Sequence, residues 1–178
     1  MSESRLIIVT GERGAGKTTF CVRLIELARS SRRSIGGVLS PAVLVNDQKV
    51  AIDVIDLRSN RRRQLAAHNP TANYPLELYW RFDADALAWG NQVLRASTPC
   101  EVLLVDELGV LEFERDQGWV AGLGAIDSGV YRLGIVVIRP ELLLRAQQRW
   151  PRAHVLTIGG VDQAQSEADR LWREFAAS

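Results

Sequence analysis

The sequence predicts an α/β fold, three-layered, in which helices cover a largely parallel sheet that is extended by an antiparallel insertion. Residues 6–9 form an apolar run that is followed by a glycine-rich turn and then by helical periodicity. Residues 102–105 form a second apolar run, and such a run is typical of a central parallel strand that is buried on both faces. Residues 42–82 instead combine tight turns with alternating side chains, which indicates antiparallel strands.

Length and composition favour an ordinary globular protein. The chain has 178 residues, of which 47% are hydrophobic and 24% charged, and its formal net charge is +1. This balance gives no clear indication of nucleic-acid binding or of a membrane surface. We expect one domain over residues 1–178, with the antiparallel insertion at about 42–82. No apolar run approaches the roughly 20 residues of a spanning helix and no signal peptide is recognisable, so we expect a cytoplasmic protein.

Cysteine and histidine are too scarce for several kinds of site. The chain has two of each, namely Cys21, Cys100, His68 and His154. A disulfide framework, a zinc site or a Ser-His-Asp arrangement is therefore not expected. We expect both cysteines to be small buried hydrophobic side chains.

The first half of the chain reads as a strand, a turn, a helix and then hairpins. Apolar residues recur at helical spacing at Phe20, Cys21, Leu24, Leu27 and Ala28. We expect Gly36 and Gly37 to break this helix before a short strand at residues 38–40. Hairpin strands are predicted at residues 43–45 and 50–55 around a turn at 46–49, and a half-buried strand is predicted at 76–82.

The second half alternates helices with buried strands. Asp83 is a predicted N-cap of a helix that ends at Thr98 and Pro99. A second helix is predicted around Trp119, and Pro140 is predicted to open a third. Buried strands are predicted at residues 101–107 and 133–138, and a last strand is predicted at 154–158. A last helix is predicted from the apolar stripe Val161, Ala164, Ala168, Leu171, Trp172 and Phe175.

The turn after the first strand fits the spacing G-x-x-x-x-G-K-[ST], in which each position has a physical role. Glycines let backbone N–H groups point inward, and the helix that follows adds its free amides and the positive end of its dipole. Lys17 can then reach the β- and γ-phosphates, and the Thr18 hydroxyl is placed to ligate Mg²⁺. The predicted nucleotide-binding residues are Gly11, Glu12, Arg13, Gly14, Ala15, Gly16, Lys17, Thr18 and Thr19. The alternative is a glycine turn in an ordinary strand–helix unit.

The basic residues add to this prediction. Of the 22 lysines and arginines, only Lys17 and Lys49 are lysine. A compact ammonium group therefore occurs at the position where a guanidinium would not fit.

Two carboxylates follow the central strand and are the predicted second half of the site. Ligands of an open α/β sheet bind at the carboxyl ends of the strands, so Asp106 and Glu107 should face the nucleotide. Asp106 is expected to hold Mg²⁺, and Glu107 is expected to orient and deprotonate the attacking water. Taken alone, the pair could equally be a strand end that runs into a polar loop.

Four segments resemble, in order, the cancer-related or thermophile-type nucleoside triphosphatases: residues 11–19, 37–40, 78–82 and 105–112. The most discriminating segment is Asp106-Glu107-Leu108-Gly109-Val110-Leu111-Glu112. This resemblance covers roughly residues 5–140. It implies a RecA-like P-loop fold and Mg²⁺-dependent hydrolysis of nucleoside triphosphates such as ATP and GTP, with broad base tolerance. It also implies the roles given above for Lys17, Thr18, Asp106 and Glu107, while Glu112 matches the glutamate that closes the acidic motif.

The sequence departs from the family pattern after the strand near Gly37. Pro41, Ala42 and Val43 stand where the family usually has a glutamate and an arginine. Residues 46–49 also replace a glycine-bearing hairpin. These departures favour, mildly, a nucleotide-gated accessory module with slow hydrolysis and an unidentified protein partner. A kinase that acts on a small acceptor is a further alternative, for which residues 61–63 would be the basic lid.

Several cationic and aromatic residues have two interpretations. Arg139 follows a buried strand and Arg13 lies in the glycine-rich turn, so either could stabilise the γ-phosphate, although solvent exposure is the simpler interpretation. The arginines at residues 61–63 form either a solvated loop or a docking patch for an acidic partner or nucleic acid. The tryptophans are expected in the core rather than on a base-stacking surface: Trp80, Trp89, Trp119, Trp150 and Trp172.

Overall fold

A computed structural model describes residues 4–69 and 80–177. Its strands are β1 (Arg5–Thr10), β2 (Ile35–Leu39), β3 (Ala42–Val45), β4 (Gln48–Asp56), β5 (Arg62–His68), β6 (Trp80–Phe82), β7 (Cys100–Leu108), β8 (Tyr131–Ile138) and β9 (His154–Thr157). Its helices are α1 (Lys17–Ser30), α2 (Ala84–Arg95), α3 (Val110–Glu114), α4 (Val120–Asp127), α5 (Leu143–Arg149) and α6 (Val161–Ala176), and a 3₁₀ turn (Pro140–Leu142) precedes α5.

All the strands belong to one sheet with the order β6-β5-β4-β2-β7-β8-β1-β9, and β3 pairs with β4. We call strands β2, β7, β8, β1 and β9 the parallel half, because they pair in parallel. Strands β3 to β6 are antiparallel to their neighbours and form the antiparallel arm. The predicted α/β class with an antiparallel insertion is therefore confirmed. Of the strand predicted at 76–82, residues 76–79 lie outside the described residues.

Helices cover both faces of the sheet, and each face has its own apolar cluster. Helices α1 and α6 cover one face, and α2 and α4 cover the other. Strand β7 contributes Val102 and Leu104 to the first cluster and Leu103 and Val105 to the second. A strand that is buried on both faces needs a continuous apolar run, which is why the sequence signal for β7 was clear.

Both cysteines are buried free thiols, as predicted. Within the described part of the chain, no helix is both long enough and apolar enough to cross a membrane.

The prediction that Gly36 and Gly37 break the first helix was wrong, because both glycines lie inside β2. Helix α1 ends earlier, at Ser30. A Cβ on Gly37 would lie 1.8 Å from the Leu104 carbonyl oxygen, and a Cβ on Gly36 would lie 2.2 Å from the carbonyl oxygen of Ser97. Gly37 therefore allows a close approach of the β7 backbone within the sheet, and Gly36 allows a close approach of the connection between α2 and β7.

The hairpin prediction was confirmed, with a tighter turn than expected. Only Asn46 and Asp47 connect β3 to β4, and their φ values are +48° and +61°. Two consecutive positive φ values are the mark of a type I′ turn, which matches the twist of antiparallel strands. Asp83 caps α2 as predicted, because its side chain accepts the Ala86 N–H at 2.7 Å. Helix α2 ends at Arg95, before the predicted end.

Candidate functional site

The glycine-rich loop connects the carboxyl end of β1 to the first turn of α1. Gly11, Gly14 and Gly16 all have positive φ, at +142°, +80° and +100°. At Gly11 a Cβ would also lie only 2.3 Å from the Ile158 carbonyl oxygen. Only glycine adopts this succession of conformations without strain, so the loop is wound as the sequence predicted.

Lys17 is the first residue of α1, and its ammonium group lies against the loop. The Nζ atom donates to the carbonyl oxygens of Gly11 at 2.5 Å and Glu12 at 2.8 Å. Thr18 follows with an exposed side chain, and Thr19 is half-buried. The loop therefore presents a cation and the free amides of the first turn of α1 on one side of the chain, as an anion site requires.

Asp106 is a buried carboxylate near the end of β7. Its Oδ2 atom accepts the backbone N–H of Ser40 at 2.9 Å. Burial raises the pKa of Asp106 to about 6, although the Ser40 amide, Lys17 and Lys49 oppose this shift. Strands β7 and β1 both pair in parallel with β8, which lies between them, so the carboxyl end of β7 with Asp106 and the loop after β1 lie at the same edge of the sheet.

A β-bulge in β7 produces the geometry of the acidic pair. Val105 pairs with Val136 and Leu108 with Ile138, so β7 has one more residue than β8 across this interval. Glu107 lies in the bulge with φ +62°, which is uncommon for a residue other than glycine. Bulges are common beside active sites, where they redirect a side chain.

Glu107 is paired with a cation. Its Oε1 atom accepts the Nε–H of Arg139, which follows β8 directly. Both side chains are partly exposed. Of the two arginines predicted as candidate phosphate ligands, Arg139 therefore contacts the predicted base, whereas Arg13 is exposed in the glycine-rich loop.

Glu112 is buried, and both its carboxylate oxygens are hydrogen-bonded. Oε2 accepts the Gly109 N–H at 2.7 Å, and Oε1 accepts the Trp119 N–H at 2.6 Å. Burial raises the pKa of Glu112, and the two amides oppose this effect. The side chain thus caps α3 and ties the segment after Glu107 to the start of α4.

The donor set next to Asp106 fits a hard divalent cation. Ser40 Oγ is buried and has no hydrogen-bond partner among the described residues, and the same is true of Thr10 Oγ1. Mg²⁺ prefers oxygen ligands and is usually held by one or two carboxylates together with substrate phosphates. In the described ranges, no group of three or more His, Cys, Asp or Glu side chains could hold a metal ion. Asp106 and Thr18 carry oxygen donors of the kind that Mg²⁺ takes.

The structure adds a residue that the sequence analysis did not assign to the site. The Lys49 ammonium lies 4.8 Å from the centroid of the Trp80 ring. Burial and the charge of Arg13 lower the pKa of Lys49, while Glu107 opposes the shift. The rarity of lysine was the one sequence feature that could have pointed to Lys49, because Lys17 is the only other lysine in the chain.

The remaining arginines and tryptophans are largely engaged in internal contacts. Arg62 forms an ion pair with Asp53, and the Arg63 guanidinium lies 4.9 Å from the centroid of Trp89. Trp119, Trp150 and Trp172 are buried, as predicted, whereas Trp80 and Trp89 are half-buried beneath cations.

A family model described as NTPase matches residues 6–151. The nucleoside-triphosphatase THEP1 of Thermofilum pendens is 31% identical over 122 residues, which cover 68% of this chain and 67% of the relative. The protein of the same name from Methanopyrus kandleri is 24% identical over 108 residues, or 61% of this chain and 59% of the relative. The chain thus spans about three fifths to two thirds of the length of these curated relatives.

Two solved structures share the fold. A human cancer-related nucleoside triphosphatase has a TM-score of 0.66 and 19% identity, with 98% of this chain and 96% of that chain covered. THEP1 from Aquifex aeolicus has a TM-score of 0.65 and 14% identity, with 93% and 96% covered. These values show that the fold described above is shared with these two solved structures.

Proposed function

This chain belongs to the NTPase family, and we propose that it hydrolyses nucleoside triphosphates, including ATP and GTP, to the diphosphate and phosphate with Mg²⁺. The observation that carries the proposal is the convergence of two charged elements at one edge of the sheet. The glycine-rich loop after β1 contributes Lys17, and β7, which is parallel to β1, contributes Asp106 near its carboxyl end at the same edge. The proposal includes a cytoplasmic location and, as the sequence suggested, no membrane insertion.

The loop binds the phosphates in this proposal. Amides of residues 11–19 surround the β-phosphate, and Lys17 moves from the loop carbonyls to the phosphate oxygens. Its bonds to Gly11 and Glu12 keep the ammonium at the loop. Because these contacts reach only phosphates, binding should depend little on the base.

Thr18 and Asp106 would hold the metal, which when bound supplies positive charge to the phosphate oxygens. The hydroxyl of Thr18 is exposed at the first turn of α1 and is free to act as a ligand. The carboxylate of Asp106 keeps its hydrogen bond to Ser40, which fixes one oxygen and leaves the other for a ligand.

Glu107 is the proposed general base. Its carboxylate accepts a proton from water as the water oxygen bonds to the γ-phosphorus and the bond to the β–γ bridging oxygen breaks. The Arg139 guanidinium, which pairs with Oε1, holds the carboxylate in position. The proton then passes to the released phosphate.

The contacts of residues 61–63 do not favour the kinase alternative, because Arg62 and Arg63 are already engaged with Asp53 and Trp89. One observation does favour a nucleotide-gated module. Leu44 and Val45 at the tip of the β3–β4 hairpin are 59% and 54% exposed. Exposed apolar side chains are a common feature of protein-docking surfaces, so slow hydrolysis that a partner accelerates is the second candidate function.

Phosphate release and product analysis with and without Mg²⁺ test the proposal. We expect Lys17→Ala to lower nucleotide affinity at least about 100-fold, roughly 2.7 kcal/mol, while its circular dichroism stays that of the wild type. Arg61→Ala is the control, because it removes an exposed positive charge in the β4–β5 turn. Wild-type affinity in Lys17→Ala would reject the loop assignment. Phosphate transfer only to an added acceptor would support the kinase instead.

A further inference from the structure

The second lysine of the chain lies on a hairpin that overhangs the proposed nucleotide site. Strand β4 pairs with β2 only through Ile55 and Asp56, opposite Leu39 and Val38. Because β4 runs antiparallel to β2, its earlier residues extend past the carboxyl end of β2. Lys49 is the second residue of β4 and therefore belongs to the overhanging part.

The surroundings of Lys49 place its ammonium group at the catalytic edge. Strands β2, β7, β8 and β1 are parallel, so the overhang past the carboxyl end of β2 lies at the edge where β7, β8 and β1 also end. The charged groups that act on Lys49, namely Arg13, Asp106, Glu107 and Arg139, belong to the glycine-rich loop or to the ends of β7 and β8 at this edge. Two of these groups are the proposed metal ligand and the proposed base. Both act at the terminal phosphate, so a cation within reach of both lies on that side of the site.

The charges named at this edge leave an excess of positive charge. Lys17, Lys49, Arg13 and Arg139 are cations, whereas Asp106, Glu107 and Glu12 of the loop are carboxylates. Lys49 is close enough to Arg13 and Arg139 that both lower its pKa. A triphosphate would relieve this repulsion, and a diphosphate would do so less because it lacks the charge of the γ-phosphate.

An aromatic ring holds the Lys49 ammonium group in place, and such a ring does not neutralise the positive charge as a carboxylate would. The ammonium lies 4.8 Å from the centroid of Trp80, and His68 packs edge-on against Trp80 with a centroid distance of 5.9 Å and an angle of 74°. A cation over an aromatic face is held weakly at an exposed site. Arg139, in contrast, is already bonded to Glu107.

We propose that Lys49 contacts the γ-phosphate and stabilises the charge that develops on it during hydrolysis, with Trp80 as the residue that positions the lysine. This inference rests on the proposed function, since it assumes a triphosphate in the loop. The cation comes from the antiparallel arm of the same chain, and so no second subunit is needed to supply it.

The test compares Lys49→Met and Lys49→Arg with the wild type. Arg61→Met is the matched control, because it removes one positive charge in the turn that follows β4, at the opposite end of that strand from Lys49. Calorimetry with Mg²⁺ measures Kd for a non-hydrolysable ATP analogue and for ADP, and single-turnover experiments measure cleavage of ATP. We expect Lys49→Met to weaken the analogue at least about tenfold and ADP less than about twofold, and to slow cleavage about 10²-fold. Lys49→Arg should recover part of both losses.

An unchanged ratio of the two Kd values, with cleavage within about twofold of wild type, would overturn the role of Lys49. This result leaves the proposed function intact, because Lys17→Ala would still lose both nucleotides. If the wild-type protein binds neither nucleotide, both proposals fail together.

Tryptophan fluorescence gives a second readout that does not depend on turnover. Movement of Lys49 from the Trp80 ring to the phosphate should change the emission more with the ATP analogue than with ADP. Trp80→Phe should remove this difference while Arg61→Met keeps it. Equal changes with the two nucleotides in the wild type would contradict the proposed contact.

Discussion

The parallel half and the antiparallel arm hold their charged groups at the same edge in different ways. In the parallel half β7 is almost entirely buried, and Asp106 is held by burial and by the Ser40 amide. In the arm, β3 and the start of β4 are largely exposed, and Lys49 rests on one aromatic ring. The buried side chain of Asp106 is fixed in position, whereas the exposed side chain of Lys49 can follow its ligand. Under the proposed function, the parallel half would therefore supply the chemistry and the arm would adjust to the phosphate.

Substitutions should reveal this division. A substitution in β7 should either abolish one step, such as cleavage, or change the free energy of unfolding, because Asp106 and Glu107 each have a defined environment. A change in the arm should have graded effects, as expected above for Lys49. The three predictions below run from the largest expected effect to the smallest, and each tests whether the two regions differ in this way.

The largest effect is expected at Glu107. Glu107→Gln keeps the shape of the side chain and removes the base, so nucleotide should bind normally and persist uncleaved. Loss of general-base assistance lowers rates by about 10²–10⁴-fold, roughly 3–5 kcal/mol on the barrier. Single-turnover cleavage and the Kd of the bound nucleotide, measured on the same preparation, test this expectation.

Glu141→Gln is the matched control for Glu107→Gln, because Glu141 is an exposed glutamate two residues after Arg139. Hydrolysis at the wild-type rate in Glu107→Gln would show that another residue positions the water. Glu112 is a poor substitute, since both of its oxygens already accept backbone amides. Such a result would mean that the general base does not lie in the bulge of β7, and it would weaken the contrast between the parallel half and the antiparallel arm.

The sequence predicted the parallel half better than the arm, for physical reasons. Strands β1, β7 and β8 are buried on both faces and therefore appear as continuous apolar runs. The glycine-rich loop follows strict spacing rules, so its residues could be assigned by number. The arm could be predicted only as hairpins, because its exposed side chains have little effect on the fold.

Long-range features of the site could not be read from the sequence. The Ser40 amide contacts Asp106 across 66 positions of the chain, and this contact depends on the pairing of β2 with β7. The bulge at Glu107 is visible only against the register of β8. The glycines of β2 were misread as a helix break, because the close approach of Leu104 is a tertiary contact.

The second prediction concerns the cost of holding a charge at Asp106. Its pKa is about 6 in the folded protein, above the ordinary value near 4. The folded state therefore binds the proton more tightly than the unfolded state, and this group's contribution to stability is lost as pH rises from about 4 to about 6. Asp106→Asn should remove that cost and raise the free energy of unfolding by about 2–3 kcal/mol at pH 8, without nucleotide or Mg²⁺.

Urea denaturation at pH 4 and pH 8 measures this effect, and the gain should nearly vanish at pH 4. The same variant should lose Mg²⁺-dependent nucleotide binding, because it removes the charge at the proposed metal ligand. Asp162→Asn, at an exposed position in the first turn of α6, is a suitable control. A stability loss at pH 8 would mean that the carboxylate is favourably paired, and that burial does not dominate the parallel half.

The smallest effect is expected from the base of the nucleotide. No Asn-Lys-x-Asp guanine reader occurs in the sequence, and the proposed contacts of the glycine-rich loop are to phosphates alone. Steady-state rates with ATP, GTP, CTP and UTP should therefore agree within about tenfold, a spread of about 1.4 kcal/mol. If one base is strongly preferred, the antiparallel arm is the region to examine, and Trp80→Leu tests whether its ring stacks on the base. Loss of the preference in that variant would show that the antiparallel arm contacts the base as well as the phosphate. Equal rates with the four nucleotides in the wild type would mean that the arm contributes only the contact of Lys49 with the phosphate.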